Sequence, residues 1–145
     1  MPDKPISSLI KSGPVDHISE DMRVLDAARY MAEVKRGAVP VITDGRLVGM
    51  FSERDLMLRV VLANKNPADV RVREVMTRDL VVAHLNDTVR ECLQKMQKMH
   101  FRHLPVVEDE RLVALLSLRD LMTREAEELD EAIQMLNYYV AYTPE

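Results

Sequence analysis

Two short motifs in the sequence place a carboxylate three residues after a serine hydroxyl: Ser52-x-x-Asp55 and Ser117-x-x-Asp120. A carboxylate accepts hydrogen bonds without donating any, so it suits a pair of neighbouring hydroxyl donors. Where such a motif opens a helix, free backbone N–H groups and the helix dipole favour a bound phosphate. Charge-assisted bonds to phosphate oxygens are then expected from basic side chains, namely Arg54, Arg119, Arg102 and His103.

The same two motifs also fit a helix capping box. In that arrangement the serine oxygen accepts the backbone N–H three residues on, and the carboxylate accepts the serine N–H. A capping residue can still contact a ligand, so the two interpretations are compatible. The spacing alone leaves both open.

The elements that carry the motifs are duplicated. Residues 39–60 align without a gap on residues 104–125 at an offset of 65, with 12 identical positions among 22. Upstream, apolar residues at i, i+3, i+4 and i+7 predict an amphipathic helix in each copy, at about residues 23–35 and 88–100. Asp21 and Asn86 are the expected N-caps of these helices.

Each copy is predicted to have the order β-α-β-β-α. An extended stretch (15–18; 80–83) precedes the first helix, and two strands (39–42 and 47–51; 104–107 and 112–116) precede the second. One copy alone would leave an apolar sheet face exposed, which a second copy can cover. We therefore expect an α/β (α+β) fold of two repeats packed sheet to sheet with pseudo-two-fold symmetry. Residues 1–66 form repeat one, 67–125 repeat two, and 126–145 a C-terminal helical extension.

The layout resembles the CBS domain, a regulatory repeat that occurs in pairs known as Bateman modules. The resemblance covers roughly residues 6–125. The segments that carry it are Val75-Met76-Thr77, Val39-Pro40-Val41, Leu104-Pro105-Val106, Gly49–Asp55, Ala114–Asp120 and the run from Phe101 to Val106.

The resemblance implies that the clefts between the repeats bind AMP, ADP, ATP, NAD(H) or S-adenosylmethionine. In the family motif the aspartate, here Asp55 and Asp120, accepts bonds from ribose hydroxyls, and the serine contacts ribose or phosphate. Thr77 joins the expected ligand contacts. The first copy keeps the family's glycine as Gly49, whereas the second has Ala114, so we expect two unequal clefts.

Composition narrows the function classes. The net charge of −4 disfavours nucleic acid, and no apolar run is long enough to cross a bilayer. The single cysteine, Cys92, excludes an intramolecular disulfide and matches Ala27, so we interpret it as a small buried filler. His100 and His103 lack the further ligands that zinc needs, so no metal site is expected. These features predict a cytoplasmic protein that needs no cofactor for chemistry.

Apolar residues recur at four-three spacing after Asp120 and predict one long helix to about Tyr139, with Leu129, Ile133 and Leu136 on one face. This face either packs on its own module or forms a homodimer contact.

The sequence thus predicts an adenine-nucleotide sensor that signals energy or redox state to an unknown partner protein. A ligand-free dimerisation module and an S-adenosylmethionine sensor are the alternatives. An enzyme is disfavoured, because no activated nucleophile or acid–base pair is evident.

Overall fold

The computed structural model of the chain describes residues 4–10, 13–99 and 102–142, and its two repeats share element boundaries at an offset of 65 residues. Repeat one contains α1 (Val24–Val34), β1 (Ala38–Thr43) and β2 (Arg46–Ser52). Repeat two contains α4 (Val89–Met99), β3 (His103–Glu108) and β4 (Arg111–Ser117). The predicted mixed α/β architecture of two repeats is confirmed.

Both hairpins use the same tight turn. The central residues have positive φ, 51° and 77° at Asp44 and Gly45, and 51° and 66° at Asp109 and Glu110. Two successive positive φ values define the turn type that matches the twist of an antiparallel hairpin. Each hairpin also has a register irregularity after the fourth pair of its ladder, at the same repeat position. The duplication therefore extends to backbone detail.

The extended stretches predicted at 15–18 and 80–83 are shorter than expected. Each contributes a single parallel bridge, Ile18 to Val41 and Ala83 to Val106. Only Ile18 and Ala83 are buried, while most of the residues before them remain partly or fully exposed and do not join the ladder. The sheets are thus hairpins with one added bridge residue.

The predicted N-caps of α1 and α4 are wrong. Arg23 precedes α1 without a side-chain cap, and Thr88 Oγ1 accepts the Glu91 N–H at the start of α4 (3.1 Å). Asp21 instead pairs with Arg73, whose guanidinium donates to its carboxylate. An aspartate drawn into a long-range ion pair is not available to cap a helix.

The helix after β2 differs from its counterpart after β4. In repeat one, α2 (Glu53–Asp55) leads directly into a π-helix (Leu56–Val61) rather than one α-helix over 53–63. In repeat two, α5 runs without interruption over Leu118–Tyr142, which confirms the long C-terminal helix. Among the described residues, no helix is both long enough and apolar enough to cross a membrane.

The first segment of each repeat packs into the core of the other repeat. A short 3₁₀ turn (Ile6–Leu9) buries Ile6 in the core of repeat two. The segment around α3 (Val72–Val75), together with Val70 and Met76, lies in the core of repeat one. This exchange ties the two repeats together and brings residues 75–77 beside the motif of repeat one.

The two hairpins also meet directly, through β2 and β4. The Leu47 N–H donates to the Glu110 carbonyl (3.2 Å), and Arg46 pairs with the Glu110 carboxylate (3.3 Å).

The C-terminal part of α5 does not pack on its own module. Leu129, Ile133 and Leu136 are 60%, 55% and 64% exposed in the single chain. Of the two alternatives for this apolar face, packing against the own module is therefore wrong. The face is open to another molecule.

Candidate functional site

The serine–aspartate motif of repeat one forms a closed cluster. Asp55 is buried and accepts hydrogen bonds from the Ser52 N–H (3.0 Å), the Ser52 hydroxyl (3.0 Å) and the Thr77 hydroxyl (3.0 Å). The Ser52 hydroxyl in turn accepts the Asp55 N–H (3.2 Å), which completes the capping box. Three protein donors thus already use the carboxylate that could bind a ribose.

Arg59 closes the same cluster from the next helical turn. Its guanidinium lies 3.8 Å from the Asp55 carboxylate and donates to the carbonyls of Val75 (3.2 Å) and Met76 (3.0 Å). The segment that carries these carbonyls is anchored to β2, because Met50 and Thr77 exchange two backbone hydrogen bonds (2.9 and 2.8 Å). The preceding segment of repeat two therefore fills the cleft of repeat one.

Gly49 allows this close approach. A Cβ at this position would lie 2.8 Å from Met76 Sδ and 2.9 Å from the Thr77 carbonyl oxygen, closer than real Cβ contacts. The glycine of the first copy thus admits the protein's own backbone. The predicted inequality of the two clefts stays a prediction, because the residues of repeat two that match Met76 and Thr77 lie outside the described residues.

The motif of repeat two is open by contrast. Ser117 Oγ caps α5 by accepting the Asp120 N–H (3.1 Å), but Asp120 is exposed, and its carboxylate has no hydrogen-bond partner among the described residues. Arg124 matches Arg59 in the repeat but turns to Glu127 (3.6 Å) and Glu128 (3.7 Å) instead of the aspartate. The equivalents of Met76 and Thr77 are Lys11 and Ser12, which lie outside the described residues.

Asp120 lies on the wall of a cavity of about 710 Å³ between the repeats. Repeat one contributes Val15, Asp16, Arg36, Ala38 and Val39. Strand β4 contributes Ala114, Leu115 and Leu116. Helix α5 contributes Arg119, Asp120, Thr123, Arg124 and Glu127. Leu9, Ile10, Gly13 and Pro14 complete the lining. The wall combines apolar side chains with six charged ones, and its volume lies in the range of about 300–1,000 Å³ that small-molecule sites span.

The structure distributes the nine predicted site residues unevenly. Arg119 and Asp120 line the cavity, and Ser117 caps the helix that carries them. Ser52, Asp55 and Thr77 form the closed cluster described above. The remaining basic side chains, Arg54, Arg102 and His103, are not part of the cavity wall.

His103 lies close to the cavity. It is partly buried at the start of β3, and burial lowers the pKa of its imidazole below the usual range. Arg36 and Arg102 lower this pKa further, while Asp120 opposes them. A neutral imidazole is therefore favoured beside the Asp120 carboxylate, rather than the cation that a phosphate would attract. His100 lies outside the described residues.

Several residues of the cavity wall were not among the nine predicted site residues. Asp16 and Arg36 form an ion pair (3.8 Å) from repeat one, and Arg124 and Glu127 form another from α5. Arg124 falls on a repeat match with Arg59, which is a signal that could have drawn attention to it. Asp16 and Arg36 have no charged match, so only the fold brings them to Asp120.

No other cluster of chemical interest emerges in the described part of the chain. Burial raises the pKa of the Cys92 thiol to about 11, which suits an inert filler. No group of three His, Cys, Asp or Glu side chains there could hold a metal ion.

The fold and the cavity define a two-repeat module with a ligand-sized cleft between its copies. The family model for the CBS domain matches residues 6–62 and 72–127. The chain therefore belongs to the CBS domain family.

Known proteins agree with this assignment. The chain is 33% identical over 104 residues to the CBS domain-containing protein YhcV of Bacillus subtilis, covering 72% of this chain and 74% of that protein. A solved CBS domain protein, NE2398, is 35% identical with a TM-score of 0.78, covering 85% and 98% of the two chains.

A third solved protein is similar in fold. It is the CBS domain pair of MJ0100 in complex with 5′-methylthioadenosine and S-adenosyl-L-methionine, 22% identical with a TM-score of 0.74. The match covers 88% of this chain and 99% of that one. CBS domain pairs are regulatory modules, and this chain shares their architecture.

Proposed function

We propose that the chain is a sensor that binds an adenosine-containing ligand in the cavity beside Asp120 and reports it to a partner protein. One observation carries the proposal. A carboxylate at the start of a helix faces the cavity without a hydrogen-bond partner among the described residues, next to Arg119. A ribose offers two neighbouring hydroxyl donors that match this acceptor.

The chemistry of the wall fits such a ligand. Leu115, Leu116 and Val39 offer apolar surface for an adenine ring, while Asp120 and Arg119 supply polar contacts at one side. The solved CBS domain pair with two bound adenosine compounds supports the class of ligand. We assign no catalytic step to the site. The candidate ligands remain AMP, ADP, ATP, NAD(H) and S-adenosylmethionine.

Calorimetry with these five ligands tests the proposal. We expect one binding event per chain, because the cleft beside Asp55 is filled by the protein itself. The protein should first be unfolded and refolded to remove any ligand carried through purification. Absence of heat and of a thermal shift at millimolar ligand would favour the alternative, an empty dimerisation module.

We propose that the chain forms a homodimer through the exposed face of α5. Met122, Leu129, Ile133, Leu136 and Val140 recur at near-heptad spacing on one helix and are all at least half exposed. Most helical stability in proteins comes from the packing of an amphipathic face, so packing against a partner would stabilise the exposed part of α5. A second copy offers a matching stripe, and two-fold dimers are the commonest oligomers.

Light scattering of two variants tests the dimer. Leu129→Glu combined with Ile133→Glu should give a monomer at tens of micromolar, whereas Gln134→Glu should keep the dimer mass. Gln134 is exposed on the same helix and gains one negative charge there, against two in the double variant. A monomer mass for the wild-type protein would contradict the proposal outright.

A homodimer through α5 would also provide an output for the sensor. The first turn of α5 carries Asp120, while its later turns carry the apolar face. A ligand shifts an equilibrium only through different affinities for two states. Ligand contact at the start of this helix is thus one way to alter how its end meets a partner.

A further inference from the structure

The charges of the described residues on the cavity wall are balanced. Three carboxylates face three guanidiniums: Asp16, Asp120 and Glu127 against Arg36, Arg119 and Arg124. Two of the guanidiniums already pair with a carboxylate, Arg36 with Asp16 (3.8 Å) and Arg124 with Glu127 (3.6 Å). Of the three, Arg119 alone lacks such a partner among the described residues. These described residues therefore offer little unpaired positive charge to a polyphosphate.

Glu127, like Asp16 and Arg36, has no charged match in the other repeat. It lies beyond the duplicated motif, on the continuation of α5, and the matching position in repeat one is Leu62. It holds Arg124, which is only 26% exposed, whereas the matching Arg59 binds backbone carbonyls and Asp55. The C-terminal extension thus adds a carboxylate to the wall and occupies one of its guanidiniums.

We propose that Glu127 is a specificity-determining residue that limits the negative charge of the ligand. The inference rests on the proposed function. Adenosine compounds with no phosphate, with one phosphate or with a cationic substituent are favoured over di- and triphosphates. Each added phosphate charge near Glu127 is repelled, and the paired Arg124 cannot compensate without breaking its ion pair.

Titrations of adenosine, AMP and ATP into the full-length protein test this limit. They should be run at low ionic strength, where charge effects are least screened, and without magnesium, which would neutralise the phosphates. The wild-type chain should bind AMP more tightly than ATP. Glu127→Gln should raise the affinity for ATP about tenfold, because one unit charge in a partly solvated site has an effect of this size.

Glu128→Gln is the matched control. Glu128 pairs with the same arginine (3.7 Å) but does not line the cavity, so the net charge of the chain changes equally. We expect it to alter ATP affinity by less than about threefold, since its carboxylate is not on the cavity wall and the Coulomb energy falls with distance. Adenosine affinity should stay unchanged in both variants, and added salt should shrink the effect of Glu127→Gln on ATP.

The outcomes separate the two proposals. A wild-type chain that binds none of the three probes, nor ADP, NAD(H) or S-adenosylmethionine, refutes the proposed function and this inference with it. A chain that binds adenosine or AMP, yet takes ATP at least as tightly, overturns the charge limit alone. The same conclusion follows if Glu127→Gln and Glu128→Gln raise ATP affinity equally, because net charge would then be the cause.

Discussion

Asp55 and Asp120 occupy the same position in two copies of one motif, but their surroundings differ. Asp55 is buried and accepts three hydrogen bonds from the protein, whereas Asp120 is exposed beside a cavity of about 710 Å³. The motif itself is nearly identical in the two copies. The difference arises from residues outside it, Thr77 and Arg59 in one cleft and Glu127 in the other.

The two copies of one duplicated motif can therefore have different roles. In repeat one the serine–aspartate pair links a helix start to the segment that leads into repeat two. In repeat two the same pair starts a helix and leaves its carboxylate available. A structural cluster and a candidate ligand site are therefore built from one sequence pattern, and four further experiments can break or sharpen this contrast.

The largest expected effect is on stability. Asp55→Ala should lower the free energy of unfolding by about 3 kcal/mol, because it leaves the partly buried donors of Ser52 and Thr77 without their acceptor and removes the ion pair with Arg59. Asp120→Ala should cost less than about 1 kcal/mol, since the Ser117 cap to the backbone N–H of residue 120 is retained. Urea denaturation at one fixed protein concentration measures both. Equal losses would remove the structural half of the contrast.

The next effect is on ligand affinity, which Asp120→Ala should weaken more than Asp55→Ala. Asp120→Ala should weaken AMP binding about ten- to a hundredfold, the loss expected for hydrogen bonds to a charged acceptor. Asp55→Ala should change it by less than about threefold when measured at a temperature where the variant is folded. Calorimetry on both variants decides this. Similar weakening by the two changes would show that both clefts take ligand.

The third effect concerns the glycine of repeat one. Gly49→Ala should destabilise the protein by about 2 kcal/mol, a typical cost of overpacking, because a new Cβ would meet Met76 Sδ and the Thr77 carbonyl. That carbonyl is held by the backbone bridge to Met50 and cannot move freely.

The matched change in repeat two, Ala114→Gly, should cost only about 1 kcal/mol, the usual price of glycine in a strand. Thermal unfolding of both variants provides the comparison. If Gly49→Ala proves harmless, the segment around Thr77 is not packed as closely as described, and the cleft of repeat one is open to ligand.

Much of the fold could be predicted from the sequence, because local periodicity and the duplication both report on it. Apolar spacing located α1, α4 and α5, and the offset of 65 located both hairpins. The exchange of the preceding segments could not be predicted, since Ile6 and Val70 give no sign of which core they enter. The same holds for the site: Asp120 is visible in its motif, whereas Asp16 and Arg36 reach the cavity only through the tertiary fold.

The smallest expected effect is a pH dependence that repeat one cannot share, because Ala38 stands where repeat two has His103. Burial lowers the pKa of His103, with Arg36 and Arg102 adding to this and Asp120 opposing it. As pH falls below the unfolded value of about 6.5, the unfolded chain takes up a proton before the folded chain does. The contribution of His103 to the free energy of unfolding is therefore fully present above that value. It decreases as pH falls from there to the lowered pKa of the folded chain.

His103→Gln should remove part of this loss, so its unfolding free energy should fall less than that of the wild type between about pH 8 and about pH 5. His17→Gln is the control, because His17 is exposed and its ring is hydrogen-bonded to the nearby Val15 carbonyl (2.8 Å). Urea denaturation at a series of pH values measures the three proteins. A wild-type profile that His103→Gln leaves unchanged would mean that the imidazole is solvated, and the two repeats would then not differ at this position in their response to acid.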